Sequence, residues 1–195
     1  MKTFSILIVL FLLLIPVVCS SATVDRCKQY VQEERVQHFK YLGLSFPYHY
    51  GVAQIHTESW CRVDAISPDG GMGLSQFMPL TLKYVEKWLG DLDIYNAKHA
   101  IRAQAWYMRQ LHKANFGEDK PLWITYMFYN SGQGTVTKEF KRAGIAEYDA
   151  MKEVCQRGTF MGRSKCDIGY DYPQLIYDRG QLYKLFEEEV RFWND

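Results

Sequence analysis

A mainly α-helical single domain, with at most a small β hairpin near residues 64 to 75, is the fold class the sequence predicts. Three observations predict it. Apolar residues recur at spacings of three and four along most of the chain. Strand signals, meaning alternating runs of β-branched and aromatic residues, are scarce. The 195 residues suit one compact domain, and an apolar share of 48% with 15% aromatics can bury a core. No low-complexity tract and no fixed-period repeat breaks the pattern.

The first element is an export signal. Lys2 gives a positive start, residues 5–18 (SILIVLFLLLIPVV) are apolar and uncharged, and the small residues Cys19, Ser20, Ser21 and Ala22 follow. That is the order of a cleavable secretory signal peptide. A membrane-spanning helix needs roughly 20 apolar residues, and this run is shorter and holds Pro16. Cleavage is expected after Ala22, with Ser20 as the second choice. The expected layout is a signal peptide over 1–22 and one domain over 23–195. Cys19 raises a lipid-attachment reading, although Val18 stands where a small residue usually precedes such a cysteine.

Cleavage changes two balances. The chain has 23 Lys and Arg against 22 Asp and Glu, and losing Lys2 makes them equal. A neutral chain has no broad basic field, which excludes nucleic acid as a partner. Losing Cys19 leaves Cys27, Cys61, Cys155 and Cys166. An even number in an exported chain suggests two disulfides. The expected pairs are Cys155–Cys166, which closes a short polar loop, and Cys27–Cys61, which remains. No C-x-x-C pair is present, so no metal site is expected.

The helices follow in order. Residues 24–41 carry Val24, Cys27, Tyr30, Val31, Val36 and Phe39 at loosely helical spacing. Ser45 and Pro47 look like a cap and first-turn proline for a helix over 48–59, with Val52, Ile55 and Ser59 on one face. Ser67-Pro68-Asp69-Gly70-Gly71 is a turn. Pro79 and Thr81 open a helix through Trp88. Asn96 caps one running to about His112, with Ile101, Ala105, Met108 and Leu111 inward. Pro121 starts an aromatic helix ending near Tyr129, which Gly132 and Gly134 break. A short helix covers 136–143. The stretch from Cys155 to Cys166 reads as a loop. A last helix runs from Pro173 to about Trp193, with Leu175, Leu182, Leu185, Phe186 and Val190 facing in.

Chemistry concentrates in residues 58–81, ESWCRVDAISPDGGMGLSQFMPLT. Glu58 ends an apolar helix, and apolar surroundings raise a carboxyl pKa by disfavouring its charged form. A carboxylic acid still protonated near neutral pH can donate to a glycosidic oxygen. The glycine-rich turn lets backbone approach a ligand. Gln76 stands among Leu74, Phe77 and Met78, where an amide needs partners and can offer both a donor and an acceptor to a sugar.

The ordered pattern Glu58-Ser59, Ala65, Ser67-Pro68, Gly70, Gly73-Leu74, Gln76, Met78-Pro79 and Thr81 resembles the catalytic domain of soluble lytic transglycosylases, in the lysozyme-like superfamily. In that family the Glu-Ser pair is followed by a Gly-Leu-Met-Gln run; here Ser75 stands at the Met position. Residues 129–136 (YNSGQGTV) are similar to the family's Tyr-Asn-Ala-Gly motif, and residues 103–111 to its helix of Ala, Tyr and Leu. Tyr172-Pro173 occupies the place of a late tyrosine. The resemblance covers about residues 46 to 190 and implies an α+β lysozyme-like fold, mainly helical. It implies Glu58 as acid and base, and Ser59, Ser67, Gln76, Met78, Tyr129, Asn130 and Tyr172 as cleft residues. The implied partner is the glycan strand of peptidoglycan, met by an exported monomer without cofactor, metal or membrane insertion. The implied product is a 1,6-anhydro sugar formed without water.

Two alternatives stay open at this stage. A goose-type-like lysozyme would use the same acid with water as attacker. An inactive envelope glycan-binding protein would need no buried acid. Glycosidases usually need two carboxylates; Asp64 and Asp69 are nearest, and the turn fully explains Asp69.

Overall fold

The computed structural model of the chain describes residues 22–116 and 121–192, with side chains as far as Lys184. Residues 1–21, where nearly all of the expected signal peptide falls, lie outside the described residues. So do the side chains of Leu185, Phe186 and Val190 and the expected helix end at Trp193.

The architecture is mainly helical, as the sequence predicts. Helical residues 22–28 (α1) are followed by α2 (Val31–Leu42), α3 (His49–Ser59), α4 (Pro79–Leu89), α5 (Ala97–Lys113), α6 (Leu122–Ser131), α7 (Gln133–Ala143) and α8 (Tyr148–Glu153). A two-stranded antiparallel hairpin, β1 (Thr159–Phe160) and β2 (Arg163–Ser164), then leads into α9 (Lys165–Phe192). The central helix is α3, packed along α9 and against α2; α2 also packs on α5, and α6 on α9, α7 and α5. One apolar cluster, including Val52, Ile55, Leu74, Phe77, Ile101, Met108 and Ile176, surrounds α3. A second, with Ile124, Met127, Phe128, Val136, Met151 and Tyr170, lies under α6, α7 and α8.

Several predicted elements form as expected. Asn96 caps α5 by accepting from the backbone of Lys98 and His99, and Ile101, Ala105, Met108 and Leu111 are all buried. Proline stands at the start of α4 and just before α6.

Other expectations are corrected. The expected helix over 24–41 is broken by a turn at residues 29–30. Val36 is 47% exposed, whereas Glu34 and His38 are fully buried. His38 Nδ1 lies 2.8 Å from Glu34 Oε2, and its ring stacks on Phe46. Burial raises the Glu34 pKa, and His38 opposes that rise. The pair fits because Gly51 faces it: a Cβ there would sit 2.4 Å from His38 Cε1 and 2.5 Å from Glu34 Oε2. Ser45 is not a cap. It lies in the turn closed by Phe46 N–H on Gly43 O, and α3 begins after Tyr48 with no side-chain cap.

The hairpin is displaced too. Around residues 66–77 only single bridges form, Ile66 with Met72 and Met72 with Phe77. The two-stranded sheet lies instead inside the segment from Cys155 to Cys166 that reads as a loop. Arg157 fixes this segment by a bidentate pair on Glu139, both contacts 2.6 Å, and by a 2.7 Å bond to Ser131 Oγ. The last helix starts eight residues before Pro173, which lies inside it. Ser164 Oγ accepts from the N–H groups of Cys166 and Asp167, and so caps the earlier start. Leu175 and Leu182 point out, at 42% and 43% exposure; Tyr172, Ile176 and Tyr183 face in.

Both expected disulfides are present, Cys27–Cys61 across 34 positions and Cys155–Cys166 across 11. The first pins the turn after α3, where Trp60 (φ 56°) and Cys61 (φ 58°) are both left-handed, a conformation that costs a non-glycine residue about 1 kcal/mol or more. A longer closed loop restrains the unfolded chain more, by about 1 kcal/mol between these two sizes. Replacing Cys27 and Cys61 by Ala should therefore cost about 2–4 kcal/mol, more than the same change at Cys155 and Cys166. Denaturant midpoints of the two double variants test the order; an equal or reversed order refutes it.

Candidate active site

The last turn of α3 carries Glu58 to the floor of a cleft of about 210 Å³. Ser67, Asp69, Gly71, Gln76, Met78, Tyr129 and Asn130 line the cleft with it. From α9, Tyr172 donates its hydroxyl proton to Glu58 Oε1. From α6, Tyr129 leans over the cleft and donates to Ser75 O at 2.7 Å. Three elements distant in sequence thus converge on one carboxyl.

Burial pushes the Glu58 pKa up to about 7. The hydrogen bond from Tyr172 favours the charged form and pulls it back, and the negative charge of Asp69 adds a smaller upward push. Burial, and then the Glu58 charge, also hold the Tyr129 and Tyr172 hydroxyls well above their usual range. Both phenols keep their protons and remain donors.

The opposite wall is the 65–78 segment. Ser67 N–H donates to Gly71 O at 2.9 Å, and Gly71 N–H returns a 2.7 Å bond to Ser67 Oγ. Gly73 has φ +69°, and a Cβ there would sit 2.3 Å from Ile94 O, so only glycine fits. Gln76 is itself left-handed at φ 50°. Its Nε2 donates to Ala65 O and Gly73 O at 3.2 and 2.8 Å, which supplies the partners a half-buried amide among apolar neighbours needs.

Of the residues expected in the cleft, Ser67, Gln76, Met78, Tyr129 and Asn130 line it with Glu58, and Tyr172 bonds the carboxyl directly. Ser59 does not. It is buried, and its hydroxyl donates to Leu74 O at 2.8 Å and Ile55 O at 3.1 Å. Its role is to tie α3 to the glycine-rich segment. Asp69 is a turn residue, accepting from Ser67 Oγ, yet it also faces the cleft. Asp64 is exposed and outside the cleft lining.

Two buried glutamines next to the site, Gln54 and Gln104, escaped the sequence reading. Gln54 Nε2 donates to Tyr172 Oη at 3.3 Å, and Gln104 Nε2 to Gln54 Oε1 at 2.9 Å. The signal that singled out Gln76, a polar amide amid apolar neighbours, is present at both. Among the described residues, no three His, Cys, Asp or Glu side chains come together as a metal-binding group.

A family model described as the transglycosylase SLT domain matches residues 47–152, just over half of the chain. The match holds Glu58, the glycine-rich wall and Tyr129-Asn130; Tyr172 lies beyond it. No curated protein matches the chain. The match, with the helical fold already described, makes this chain a member of the transglycosylase SLT domain family.

Proposed function

We propose that the protein is an exported lytic transglycosylase that cleaves the β-1,4 bond between N-acetylmuramic acid and N-acetylglucosamine in peptidoglycan. The observation that carries this reading is the half-buried Glu58 carboxyl on the floor of a polar cleft, bonded by Tyr172 and with its pKa pushed up to about 7 by desolvation. Residues 23–195 would form the working domain. Two disulfides fit an oxidising compartment. Among the described residues no helix is long and apolar enough to cross a membrane.

In this mechanism Glu58, protonated, gives its proton to the glycosidic oxygen as the C1–O bond breaks. The N-acetyl group of the sugar stabilises the cationic C1. The Glu58 carboxylate then takes the proton of the sugar's own 6-hydroxyl, and O6 bonds C1 to close a 1,6-anhydro ring. Ser67, Gln76, Tyr129 and Asn130 supply polar contacts to the sugars, and Met78 an apolar wall. A groove of about 450 Å³ lined by Leu80, Thr81, Tyr84 and Tyr107 suits the continuing strand. It adjoins the cleft, because the Tyr107 and Tyr129 rings lie 5.6 Å apart.

A hydrolytic lysozyme is the second reading, and one observation favours it: Asp69 lines the same cleft as Glu58. The 6-hydroxyl, however, is held by the bound sugar itself. A positioned group reaches effective concentrations orders of magnitude above those of a free reactant, so ring closure is expected to outrun water.

Glu58→Gln keeps the shape but loses the transferable proton, so wall lysis should fall about a hundred- to ten-thousandfold. The folded Glu58 pKa lies above its unfolded value, so the wild type loses stability as pH rises from about 4.5 to 7. The variant should therefore be the more stable protein above pH 7. A folded variant that keeps a tenth or more of normal lysis, an order-of-magnitude threshold, refutes the assignment.

The acid step needs protonated Glu58. kcat/KM should hold on the acid side and fall with an apparent pKa near 7. Rates that climb steadily from pH 6 to 9 would contradict an acid role.

Mass spectrometry of digested wall should find 1,6-anhydro ends, lighter by one water than hydrolytic ends. Mainly reducing ends, together with loss of activity in Asp69→Asn, would establish the lysozyme reading instead.

A further inference from the structure

The two glutamines belong to a longer chain of hydrogen bonds that the proposed chemistry does not itself require. Ser75 Oγ donates to Gln104 Oε1 at 2.8 Å, and Gln104 Nε2 to Gln54 Oε1 at 2.9 Å. Gln54 Nε2 donates to Tyr172 Oη at 3.3 Å, and Tyr172 donates to Glu58 Oε1. Every bond runs in the same donor-to-acceptor direction and ends on the carboxyl. Ser75, Gln54 and Gln104 are each fully buried. They come from the glycine-rich segment, α3 and α5, and Tyr172 from α9.

We propose that Ser75, Gln104 and Gln54 are positioning residues that, acting through Tyr172, hold the Glu58 carboxyl in its proton-donating orientation. An amide can flip, and a flipped amide reverses its bonding. Here Gln104 is fixed at both ends: its oxygen accepts from Ser75, and its nitrogen also donates to Gly51 O at 3.2 Å. That fixes Gln54, whose Nε2 must then point at Tyr172. A Tyr172 oxygen that accepts from Gln54 has its own proton free for Glu58 Oε1. With Oε1 engaged as an acceptor, the transferable proton sits on Oε2.

Ser75 is the residue that departs from the family run, which has methionine at this place. A thioether cannot donate, so the chain could not start there. The same residue also serves the second tyrosine, since Ser75 O accepts from Tyr129. Its hydroxyl has one further, weaker partner, Ala100 O at 3.5 Å.

Other titratable groups face this assembly. Asp69 acts on Glu58 from the loop. From α6, Tyr126 packs 6.5 Å from the Tyr172 ring, and Tyr129 lies near enough to Tyr172 to make its ionisation harder. Glu34, paired with His38 on α2, acts on both Tyr126 and Tyr129, and Tyr107 of α5 on Tyr129. None of them bonds the relay amides.

The proposal rests on Glu58 as the acid, and its test separates the two ideas. The Glu58 carboxyl is titrated by 13C NMR in Ser75→Ala, Gln104→Met and Tyr172→Phe, and in each of the first two combined with the third; Glu58→Gln assigns the signal. Tyr172→Phe should raise the Glu58 pKa by removing a bond that favours the charged form. Ser75→Ala and Gln104→Met should raise it in the same direction by less. Each should also lower kcat on soluble glycan strands roughly three- to tenfold, the effect of one lost buried hydrogen bond, with KM unchanged. In the Tyr172→Phe background neither should have any further effect. Unchanged titration and kcat in folded single variants overturn the relay, and so does an equal effect with and without Tyr172. Ser75→Ala removes only one hydroxyl and decides the matter if Gln104→Met does not fold. Should the wild type fail to cleave glycan at all, the functional reading falls while the NMR titration still tests the relay.

Discussion

Withdrawal of α3 from water on nearly every side is the constraint on which the rest of this structure depends. His49, Gly51 to His56 and Ser59 are all buried, so the helix has no solvent face for its polar groups. A helix buried this fully needs neighbours all round it. It has them in α2, α9 and α5, and glycine permits the closest approaches. Gly51 faces the Glu34–His38 pair, and a Cβ at Gly180 would lie 2.2 Å from Tyr50 Cδ1. The last turn comes near the surface, and it brings Glu58 to the cleft before losing its apolar surroundings. The raised pKa therefore follows from where the helix ends.

The same burial accounts for the polar interior. Buried polar groups need partners, and those on α3 find them across helix boundaries. Gln54 meets Gln104 and Tyr172, and His56 Nδ1 lies 2.8 Å from Tyr183 Oη. Burial lowers the His56 pKa to about 4, with the Arg179 charge adding to the effect, so the ring is neutral. Charge is kept inside where the geometry is good: Glu139 receives the Arg157 fork and a 3.1 Å bond from Tyr170. These contacts fix one register of α9 against α3, α6 and α7, and α9 supplies Tyr172.

What could be read from the sequence was mostly local, with the Cys27–Cys61 pair and Tyr172 beside Glu58 as the long-range exceptions. Periodicity, Asn96 and the prolines marked α4, α5 and α6 because they act within a few residues. The Glu58-to-Thr81 and Tyr129-Asn130 motifs marked the cleft because each occupies one continuous stretch. What could not be read is long-range. Val36 fits an apolar stripe, yet Glu34 and His38 take the inside because Gly51, on another helix, leaves them room. Pro173 looks like a helix start until Ser164 provides an earlier cap. Ser59 sits beside the acid in sequence but turns toward Leu74 O. Gln54 and Gln104 lie 50 positions apart, and each alone looks like an ordinary helix residue. Their meaning exists only once α3 and α5 touch.

Asp69 shows why proximity of two carboxyl groups does not settle a mechanism. A base that activates water needs lone pairs aimed at that water, and Asp69 accepts a hydrogen bond from Ser67 within its own turn. Its effect on Glu58 is through charge and has one sign: a nearby negative group makes the second ionisation harder. Tyr172 pulls the other way by bonding the charged form. Glu58 is thus held between an upward push, from burial and Asp69, and a downward pull, from a hydroxyl aimed at one of its oxygens. The acid-then-base cycle proposed for Glu58 calls for both influences, because a pKa far from ambient pH would favour one proton transfer and penalise the other. Under either product outcome, Asp69 and Tyr172 have work to do as opposed electrostatic partners of a single carboxyl.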